Sequence, residues 1–473
     1  MVAVGILFLL CGVGYGKYIY DGGSSVWLGW EMASESEAGS QASDTNGLTV
    51  GALHDVQEGN VEESTQTGGS IGADGDSAEN QSGSEEESTS GSGDESDASE
   101  SGSGDESDVS ESGSGDESGA IKSGSGSSDL SEDTEITLVM IGDMLMHTSV
   151  VNSGEQGDGS YNYDHLFANV ADRIASADIA IVNQETIMGG DDRGFSGYPT
   201  FNSPTALADA EAAVGFDVIL HGTNHALDKG ASGVLNCINY WETNYPDIAY
   251  LGINKSQEAQ DTYIYVYEQD GISIAILNYT YGTNGISTPA DQPYLVNYLE
   301  EDKVVSDIER AHELADFVIV CPHWGTEYNL GTDSSQAKWT QIFLEAGVDL
   351  VIGTHPHVIE PVEWVTDDEG NEMLVYYSLG NFVNGTSSSG SGVTSRMVGG
   401  MAEVTIGVEN GEVVILEYDA IPLVCHIASG SDFTVYYLSD YTEELAQENR
   451  IVSQDAEFSL AKCWEVVEEV WGE

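Results

Sequence analysis

Histidines that follow short apolar runs are the first feature of this 473-residue chain that points to chemistry. Six of its ten histidines, at positions 147, 221, 225, 323, 355 and 357, lie at or just beyond such runs. In VIGTHPHVIEPVEW, residues 351–364, His355 and His357 are separated by a single proline. These two histidines are therefore either polar residues at a strand end or half of a metal site.

Acidic and amide side chains follow the other apolar runs. They are Asp143 and His147 in GDMLMH, Asn183 and Glu185 in NQET, Asn224, His225 and Asp228 in TNHALD, His323, Trp324 and Glu327 in HWGTEY, and Asn381 in YSLGNF. A mixture of Asp, Glu, Asn and His without Cys suits a hydrolytic site for Zn, Mn or Fe. Two such ions about 4 Å apart lower the pKa of a bridging water and stabilise a tetrahedral transition state.

The elements that must position these residues alternate between strands and helices. Strand-like runs are predicted at 135–143, 179–186, 216–225, 272–279, 317–325, 349–353 and 373–382, and helices at 164–176, 203–215, 232–244, 304–315 and 334–346. This alternation is typical of a layered α/β domain with a largely parallel sheet. Ligands of such sheets bind outside the carboxyl ends of the strands, so we expect the polar residues to converge on one site.

The residues around His355 and His357 are not those of a regular strand. Residues two apart on a strand face the same side, but Gly353 and Pro356 interrupt the run and break that regularity. We expect a turn here that lets both imidazoles approach one centre.

The last part of the chain changes character after Met401. AEVTIGVENGEVVILEYDAIPL contains a central Asn-Gly between alternating runs, which predicts a β-hairpin. The final 35 residues or so, with LAKCWEVVEEVW as the clearest stretch, read as amphipathic helix.

The first 134 residues are not typical of a folded domain. The opening MVAVGILFLLCGVGYGKYIY is apolar and lacks a basic start, so a signal peptide, a short membrane anchor and a start placed too late are all alternatives. Residues 21–134 are rich in Ser, Gly, Asp and Glu and repeat the unit SGSGDESDxSE, which predicts a disordered acidic spacer. A long hydrophilic spacer behind an apolar segment favours an uncleaved anchor at residues 1–20, with the domain outside the cell membrane.

The charge of the chain limits its partners. The formal charge is −70, and residues 135–473 alone carry 54 acidic and 10 basic residues, a net −44. Nucleic acid needs basic patches and is therefore not an expected partner. An anionic substrate would also be repelled unless cations intervene. Cys237, Cys321, Cys425 and Cys463 show no CxxC spacing, and we expect them to be isolated buried thiols.

The order and rough spacing of these motifs resemble those of the CapA family, the capsule or poly-γ-glutamate synthesis proteins. GDMLMH, NQET, TNHALDKG, HWGTEY, GTHPHVIEPVE and YSLGNF carry the resemblance over about residues 135–385. This family looks like a branch of the calcineurin-like metallophosphoesterases. The resemblance implies a four-layer α/β sandwich, with two mixed sheets between helices, and a pair of metal ions.

The resemblance also implies roles for individual residues. The metal ligands would be Asp143, His147, Glu185, Asn224, His323, His355 and His357, with His147 departing from the usual Asp-x-His spacing. His225 would act as an acid near the leaving group, backed by Asp228, and substrate contacts are predicted at Asn183, Trp324, Glu327 and Asn381. Thr223 and Gln184 depart from the residues that the family usually has at those positions, and neither change removes a ligand.

Two functions from different classes follow from this reading. The first is an extracytoplasmic, membrane-anchored metal-dependent hydrolase or transferase that acts on poly-γ-glutamate, another anionic surface polymer or a phosphoester. The second is a non-enzymatic accessory protein that binds the polymer or a membrane polymer synthase. The domains expected are residues 1–20, 21–134, a metallophosphoesterase-like domain at 135–425 and a helical extension at 426–473.

Overall fold

The computed structural model describes residues 14–21, 24–32, 134–368, 370–428 and 432–472. The chain separates into two compact units, Met1–Ser114 and Gly115–Glu473. In the first unit, β1 (Gly14–Asp21) pairs antiparallel with β2 (Ser24–Met32). Among the described residues, no helix is long and apolar enough to cross a membrane.

The second unit is built on two mixed sheets. The first sheet contains β3 (Glu135–Leu145), β4 (Ile179–Asn183), β5 (Val218–Leu220), β6 (Ala249–Leu251), β13 (Asn381–Asn384), β14 (Val398–Glu409), β15 (Glu412–Ile427) and β16 (Phe433–Tyr437). The second contains β7 (Tyr265–Gln269), β8 (Ile272–Thr280), β9 (Phe317–His323), β10 (Leu350–Ile352), β11 (Val362–Thr366) and β12 (Glu372–Tyr376). Strands β3 to β6 run parallel in the first sheet, and β8, β9, β10 and β12 run parallel in the second.

Helices cover the outer face of each sheet. They are α1 (Thr148–Ser153), α2 (Asp164–Phe167), α3 (Ala171–Ser176), α4 (Ala206–Val214), α5 (Gly230–Asn244), α6 (Gln257–Thr262), α7 (Glu301–Leu314), α8 (Ser334–Glu345), α9 (Glu443–Glu448) and α10 (Leu460–Trp471). A capping box at Asp333 begins α8, and Ser459 caps α10.

Three separate apolar cores hold these layers together. One core lies between the sheets and is formed by strand residues of both, such as Leu138, Met140 and Ile319. A second core packs helices such as α5 and α10 on the first sheet, and a third packs α7 and α8 on the second. Along β3, Leu138 and Met140 enter the inter-sheet core while Val139 and Ile141 face the helices, as the two-residue period of a strand requires. The four-layer α/β sandwich is therefore confirmed.

Several local predictions are confirmed by the structure. The hairpin after Met401 is β14 with β15, and Asn410 and Gly411 at its turn have φ of 56° and 85°, as a type I′ turn requires. The four cysteines of the second unit are free and buried.

Other predictions are wrong in detail. The apolar run 373–382 is two strands: the chain leaves the second sheet after Tyr376 and enters the first at Asn381, turning at Gly380 with φ 61°. The single helix expected at 164–176 is two short ones, α2 and α3. The segment 426–473 is not helical throughout, because FTVYY, rich in β-branched and aromatic residues, adds β16 to the first sheet.

The N-terminal predictions lie mainly outside the described residues. The described part of the expected anchor is a strand, β1, and Ser24–Met32 is a strand within the expected spacer. Residues 1–13 and 33–133 are outside the described part of the chain.

Candidate metal centre

The carboxyl ends of parallel strands from both sheets meet at one place. Strands β3, β4 and β5 of the first sheet lie side by side, and so do β8, β9 and β10 of the second. The residues at the last positions of these strands, or just beyond them, bring imidazoles, carboxylates and amides together between the two sheets. Convergence of this kind is what the strand order of an open α/β sheet predicts.

Glu185, just after β4, lies at the middle of this group. Its carboxylate is buried, and its Oε1 atom lies 3.6 Å from Nε2 of His357, 3.9 Å from Nε2 of His323 and 4.0 Å from Nε2 of His225. Neither oxygen of Glu185 has a hydrogen-bond partner. Two ligands of one Zn ion, each bonded at about 2 Å, lie roughly 3–4 Å apart, so this separation fits a shared cation better than a direct hydrogen bond.

His355 and His357 approach the same centre because the backbone turns at both. Their φ angles are 103° and 61°, in a region that side-chain-bearing residues rarely occupy. Glu185, His355 and His357 present ligand atoms that all lie within 4.8 Å of one another. Gly353 permits the close approach that precedes the turn, since a Cβ there would lie 2.2 Å from the Tyr377 carbonyl oxygen. The turn expected from the sequence is present, and its backbone is of a kind that concentrates at functional sites.

Asp143 and Asn381 orient the ring of His357. Its Nδ1 lies 3.0 Å from Oδ2 of Asp143 and 3.1 Å from Oδ1 of Asn381, and the amide of Asn183 donates to the other Asp143 oxygen at 2.8 Å. Contact at Nδ1 leaves Nε2 directed toward Glu185, an arrangement that commonly fixes the tautomer of a metal-binding histidine. Burial opposes protonation of His357, but Glu185 and Asp143 outweigh it and raise its pKa to about 9.

A second set of contacts fixes His323, the last residue of β9. Its Nε2 lies 3.2 Å from Oδ1 of Asn224, and its Nδ1 lies 3.0 Å from the Thr354 hydroxyl. Burial, followed by the neighbouring histidines, holds the pKa of His323 and of His355 well below the usual value. Both rings are therefore neutral, the form in which imidazole binds a metal.

His225 is held by Asp228, three residues later in the turn that precedes α5. The Nδ1 atom of His225 lies 2.7 Å from Oδ2 of Asp228, which also accepts the Phe201 backbone N–H at 2.6 Å. The Phe201 ring packs against His225 at a centroid distance of 4.6 Å, so the segment 189–204 reaches the site. This pairing leaves Nε2 of His225 facing the centre, where it can exchange a proton.

The donor groups present fit a divalent cation. Buried atoms without a hydrogen-bond partner include both Glu185 oxygens, Nδ1 of His355 and Oδ1 of Asn183. Buried polar groups are normally satisfied, and each exception needs a physical explanation. Oxygen and imidazole donors grouped in this way are explained by a bound metal ion such as Zn, Mn or Fe.

The remaining predicted residues lie at different distances from the centre. His147 is half-buried near the centre, and burial, with His357 and His225, lowers its pKa to about 4. Glu327 is exposed at the rim. His221 is in the core instead, where its Nε2 accepts a hydrogen bond from the Trp241 indole at 2.9 Å.

Three predicted substrate contacts have other surroundings. Trp324 is fully buried in the core outside the second sheet, and its indole donates to the Tyr377 carbonyl at 2.9 Å, so the prediction of a substrate contact is wrong for this residue. Asn183 and Asn381 are also buried, and they bond to Asp143 and His357. Their geometry is that of positioning residues, since the amides point at candidate ligands.

Two tyrosines that the sequence reasoning missed flank the site. The Tyr281 ring lies 4.6 Å from that of His355, and the Tyr328 ring lies 5.8 Å from that of His357. Both are nearly half exposed, at 46% and 45%. Only their positions in the sequence could have pointed to the site, since Tyr281 directly follows β8 and Tyr328 is the last residue of HWGTEY.

Comparison with known proteins gives a family and several relatives. Residues 137–386 match the family model described as bacterial capsule synthesis protein PGA_cap. The capsule biosynthesis protein CapA of Bacillus anthracis is 27% identical over 265 residues, covering 53% of this chain and 60% of that protein. The PGA biosynthesis protein CapA of Bacillus subtilis (strain 168) is 26% identical over 254 residues, covering 53% of this chain and 64% of that protein. The match thus spans less than two thirds of each relative.

Solved structures with a similar arrangement are more distant. The NAD nucleotidase NadN of Haemophilus influenzae matches with a TM-score of 0.40 at 13% identity, over 71% of this chain and 66% of that one. The calcineurin-like phosphoesterase YfkN of Bacillus subtilis matches with a TM-score of 0.36 at 12% identity, over 70% of this chain and 98% of that one. At these scores the likeness says nothing about the activity of this chain.

Proposed function

The chain belongs to the bacterial capsule synthesis protein family PGA_cap, and from this membership we propose that it acts, through a binuclear metal centre, on an anionic surface polymer. The polymer would be poly-γ-glutamate or a related capsule component, and the reaction a metal-dependent hydrolysis or transfer during synthesis or export. The names of the two relatives, which refer to capsule and PGA biosynthesis, support the connection to the polymer.

The observation that carries the proposal is the unpaired carboxylate of Glu185 among three imidazoles. A buried carboxylate without a hydrogen bond is costly, and burial raises the pKa of Glu185 well above its usual range. We propose that Glu185, together with His355 and His357, would hold the ions, with Asp143, Asn224 and His323 as further ligands. When bound, the ions would supply an activated water and offset the charge of an anionic substrate.

The residues of the chain complete the chemistry around these ions. Asp228 holds Nδ1 of His225, so that Nε2 can give a proton to a leaving group on the open side of the site. Asn183 and Asn381 keep Asp143 and His357 in position. Glu185, Asn224 and His323 are buried at the floor of the site, and the exposed rings of Tyr281 and Tyr328 lie at its edge.

We also propose that the domain acts outside the cytoplasm, tethered to the membrane. The support for this is the apolar start of the sequence and the acidic Ser/Gly-rich segment that follows it. A polymer that leaves the cell would be reached there by a domain on a long tether.

Metal content of the full-length protein tests the centre directly. We expect about two ions per chain in the wild type, and loss of metal in Glu185→Gln and His355→Ala without unfolding. Glu211→Gln is the matched control, because Glu211 is likewise a buried carboxylate with no hydrogen-bond partner but lies in α4, where burial alone raises its pKa, and this variant should keep both ions. Absence of metal from the supplemented wild type would refute the proposal.

The long acidic segment before the domain favours a second candidate, a binding role without turnover, because catalysis needs no such tether, and a cell-based test separates the two. His225→Gln keeps the proposed ligands and removes the proton donor. If this variant restores capsule in a strain that lacks the gene as well as wild type does, the domain binds the polymer or its synthase and does not catalyse. If only the wild type restores capsule, the enzymatic proposal holds.

A further inference from the structure

Few positive charges are free in the acidic second unit. Of the ten Lys and Arg residues that the structure describes in this unit, six make an ion pair with a carboxylate. The four that do not are Arg193, Lys229, Arg396 and Arg450. Of these four, only Arg396 has a side-chain nitrogen, Nε, that is buried without any hydrogen-bond partner. A guanidinium left without a carboxylate in so acidic a domain needs an explanation.

Arg396 lies beside the metal centre. It ends the short 3₁₀ turn Thr394–Arg396, and its Cζ atom lies 3.7 Å from the centroid of the Tyr328 ring. That ring in turn lies 5.8 Å from the ring of His357. The Arg396 carbonyl also accepts a hydrogen bond from the Asn381 amide at 3.0 Å, and Asn381 bonds to His357. Side chain and backbone thus both connect Arg396 to a proposed ligand.

Tyr328 is held in an unusual backbone conformation to make this contact. Its φ is 65°, which is rare for a bulky residue, and its N–H donates to the Pro356 carbonyl at 2.7 Å. The three other non-glycine residues with positive φ outside this site, Asp270, Asn284 and Asn410, are of types that tolerate it in turns. A tyrosine in this conformation, between His357 and Arg396, indicates that the position of the ring serves the site.

We propose that Arg396, supported by the face of Tyr328, is an anion-binding residue of this centre, and that it takes a carboxylate or phosphate group of the substrate adjacent to the bond held at the metal ions. The proposal rests on the proposed function of the same site. Guanidinium suits the role, because it stays charged, stacks on an aromatic face and can bind a carboxylate or phosphate through two nitrogens. In the structure Nη1 donates only to the Ser388 hydroxyl, at 3.0 Å, and makes no ion pair.

The charge balance explains why such a residue is needed. An anionic polymer approaching a net −44 surface is repelled, and the ions can offset only the group that they bind. A second anionic group on the substrate needs its own cation close to the first. Substrates with repeated negative charges would then be preferred over singly charged ones.

The test compares binding of two anionic probes to the full-length, metal-loaded protein by titration calorimetry. The probes are a short γ-linked glutamate oligomer and phenyl phosphate, and the same γ-linked oligomer with its α-carboxyl groups amidated serves as the neutral counterpart. The variants are Arg396→Gln, Arg396→Lys and Lys338→Gln, which removes the same charge from an exposed ion pair with Glu301 on the outer helices. Metal content and thermal unfolding are measured for each variant.

We expect Arg396→Gln to keep its metal and to bind at least one anionic probe about 10- to 100-fold more weakly, as loss of a charged hydrogen bond implies. Arg396→Lys should recover part of the loss, and Lys338→Gln should bind as the wild type does. The probe affected identifies the group as carboxylate or phosphate. Unchanged binding in Arg396→Gln, an equal loss in Lys338→Gln, or a metal-loaded wild type that binds neither probe would overturn the proposal.

The outcome is separable from that of the proposed function. If the wild type holds no metal but Arg396→Gln still weakens anion binding, the metal centre fails and the anion site stands. If metal is present and binding does not depend on Arg396, only the anion site fails.

Discussion

Replacement of Glu185 by glutamine should have opposite effects on stability with and without metal. The carboxylate is buried and unpaired, and burial outweighs the attraction of His357, so its pKa is raised well above 4.5. A carboxyl group with a raised pKa in the folded state contributes stability below its unfolded pKa, and that contribution is lost as the pH rises. At pH 7 the metal-free wild type therefore carries a penalty that Glu185→Gln does not.

The size of the penalty has an upper limit. The group can take up a proton rather than remain charged, so at pH 7 the penalty cannot exceed the interval of about 2.5 pH units above 4.5. At about 1.36 kcal/mol per unit, the limit is about 3 kcal/mol. For a unit of roughly 340 folded residues with an unfolding entropy of about 2.1 cal/mol/K per residue, this corresponds to a rise in Tm of up to about 4 °C.

Bound metal should make the wild type more stable than Glu185→Gln. Ions that bind only the folded wild type add about 4.1 kcal/mol at 1,000 times their Kd, which exceeds the largest penalty, and a variant without the Glu185 carboxylate gains none of this. Differential scanning calorimetry of both proteins, with chelator and then with Zn or Mn, measures the effect. Glu211→Gln, at a buried carboxylate whose pKa is also raised, should be stabilised under both conditions.

A metal-free Glu185→Gln protein that is less stable than the wild type would refute this reasoning. It would mean that the attraction between Glu185 and His357 outweighs the cost of burying the carboxylate.

Three further predictions concern the surroundings of the site. Trp324→Ala should lower the free energy of unfolding by about 3–5 kcal/mol in urea titrations, because the indole is buried in the core, and the folded variant should keep its metal. A loss of metal without a loss of stability would contradict the assignment of Trp324 to the core. Asn381→Ala should weaken metal binding about 10- to 100-fold in competition with a chelator, since its amide orients His357, and unchanged affinity would count against a positioning role. Burial raises the pKa of Glu360 to about 8, so the stability of the wild type should fall between about pH 4.5 and 8, and Glu360→Gln should flatten that fall in urea titrations at several pH values.

The sequence alone was enough to predict most strands and helices and the types of side chain that could bind a metal. Apolar runs and helical periods located most strands and helices, because burial on one face is a local pattern. The Asn-Gly at 410–411 specified a hairpin because only a few residues tolerate its dihedral angles. Polar residues after several strands indicated a site at the strand ends, since parallel strands share one edge.

Tertiary structure decided what each polar residue does. Trp324 stands in a motif beside His323, yet its side chain leaves the site for the core, because successive strand residues face opposite sides. The run 373–382 divides between two sheets, which a continuous apolar pattern does not reveal.

Arg396 shows the same limit most clearly. It lies 39 residues from His357 in the chain and outside every motif, and only the path of the backbone through β13 and the positive φ of Tyr328 place its guanidinium beside the centre. Composition and period are local properties of a sequence. Which side chains meet depends on how distant strands pair and on a few dihedral angles that the surrounding packing imposes.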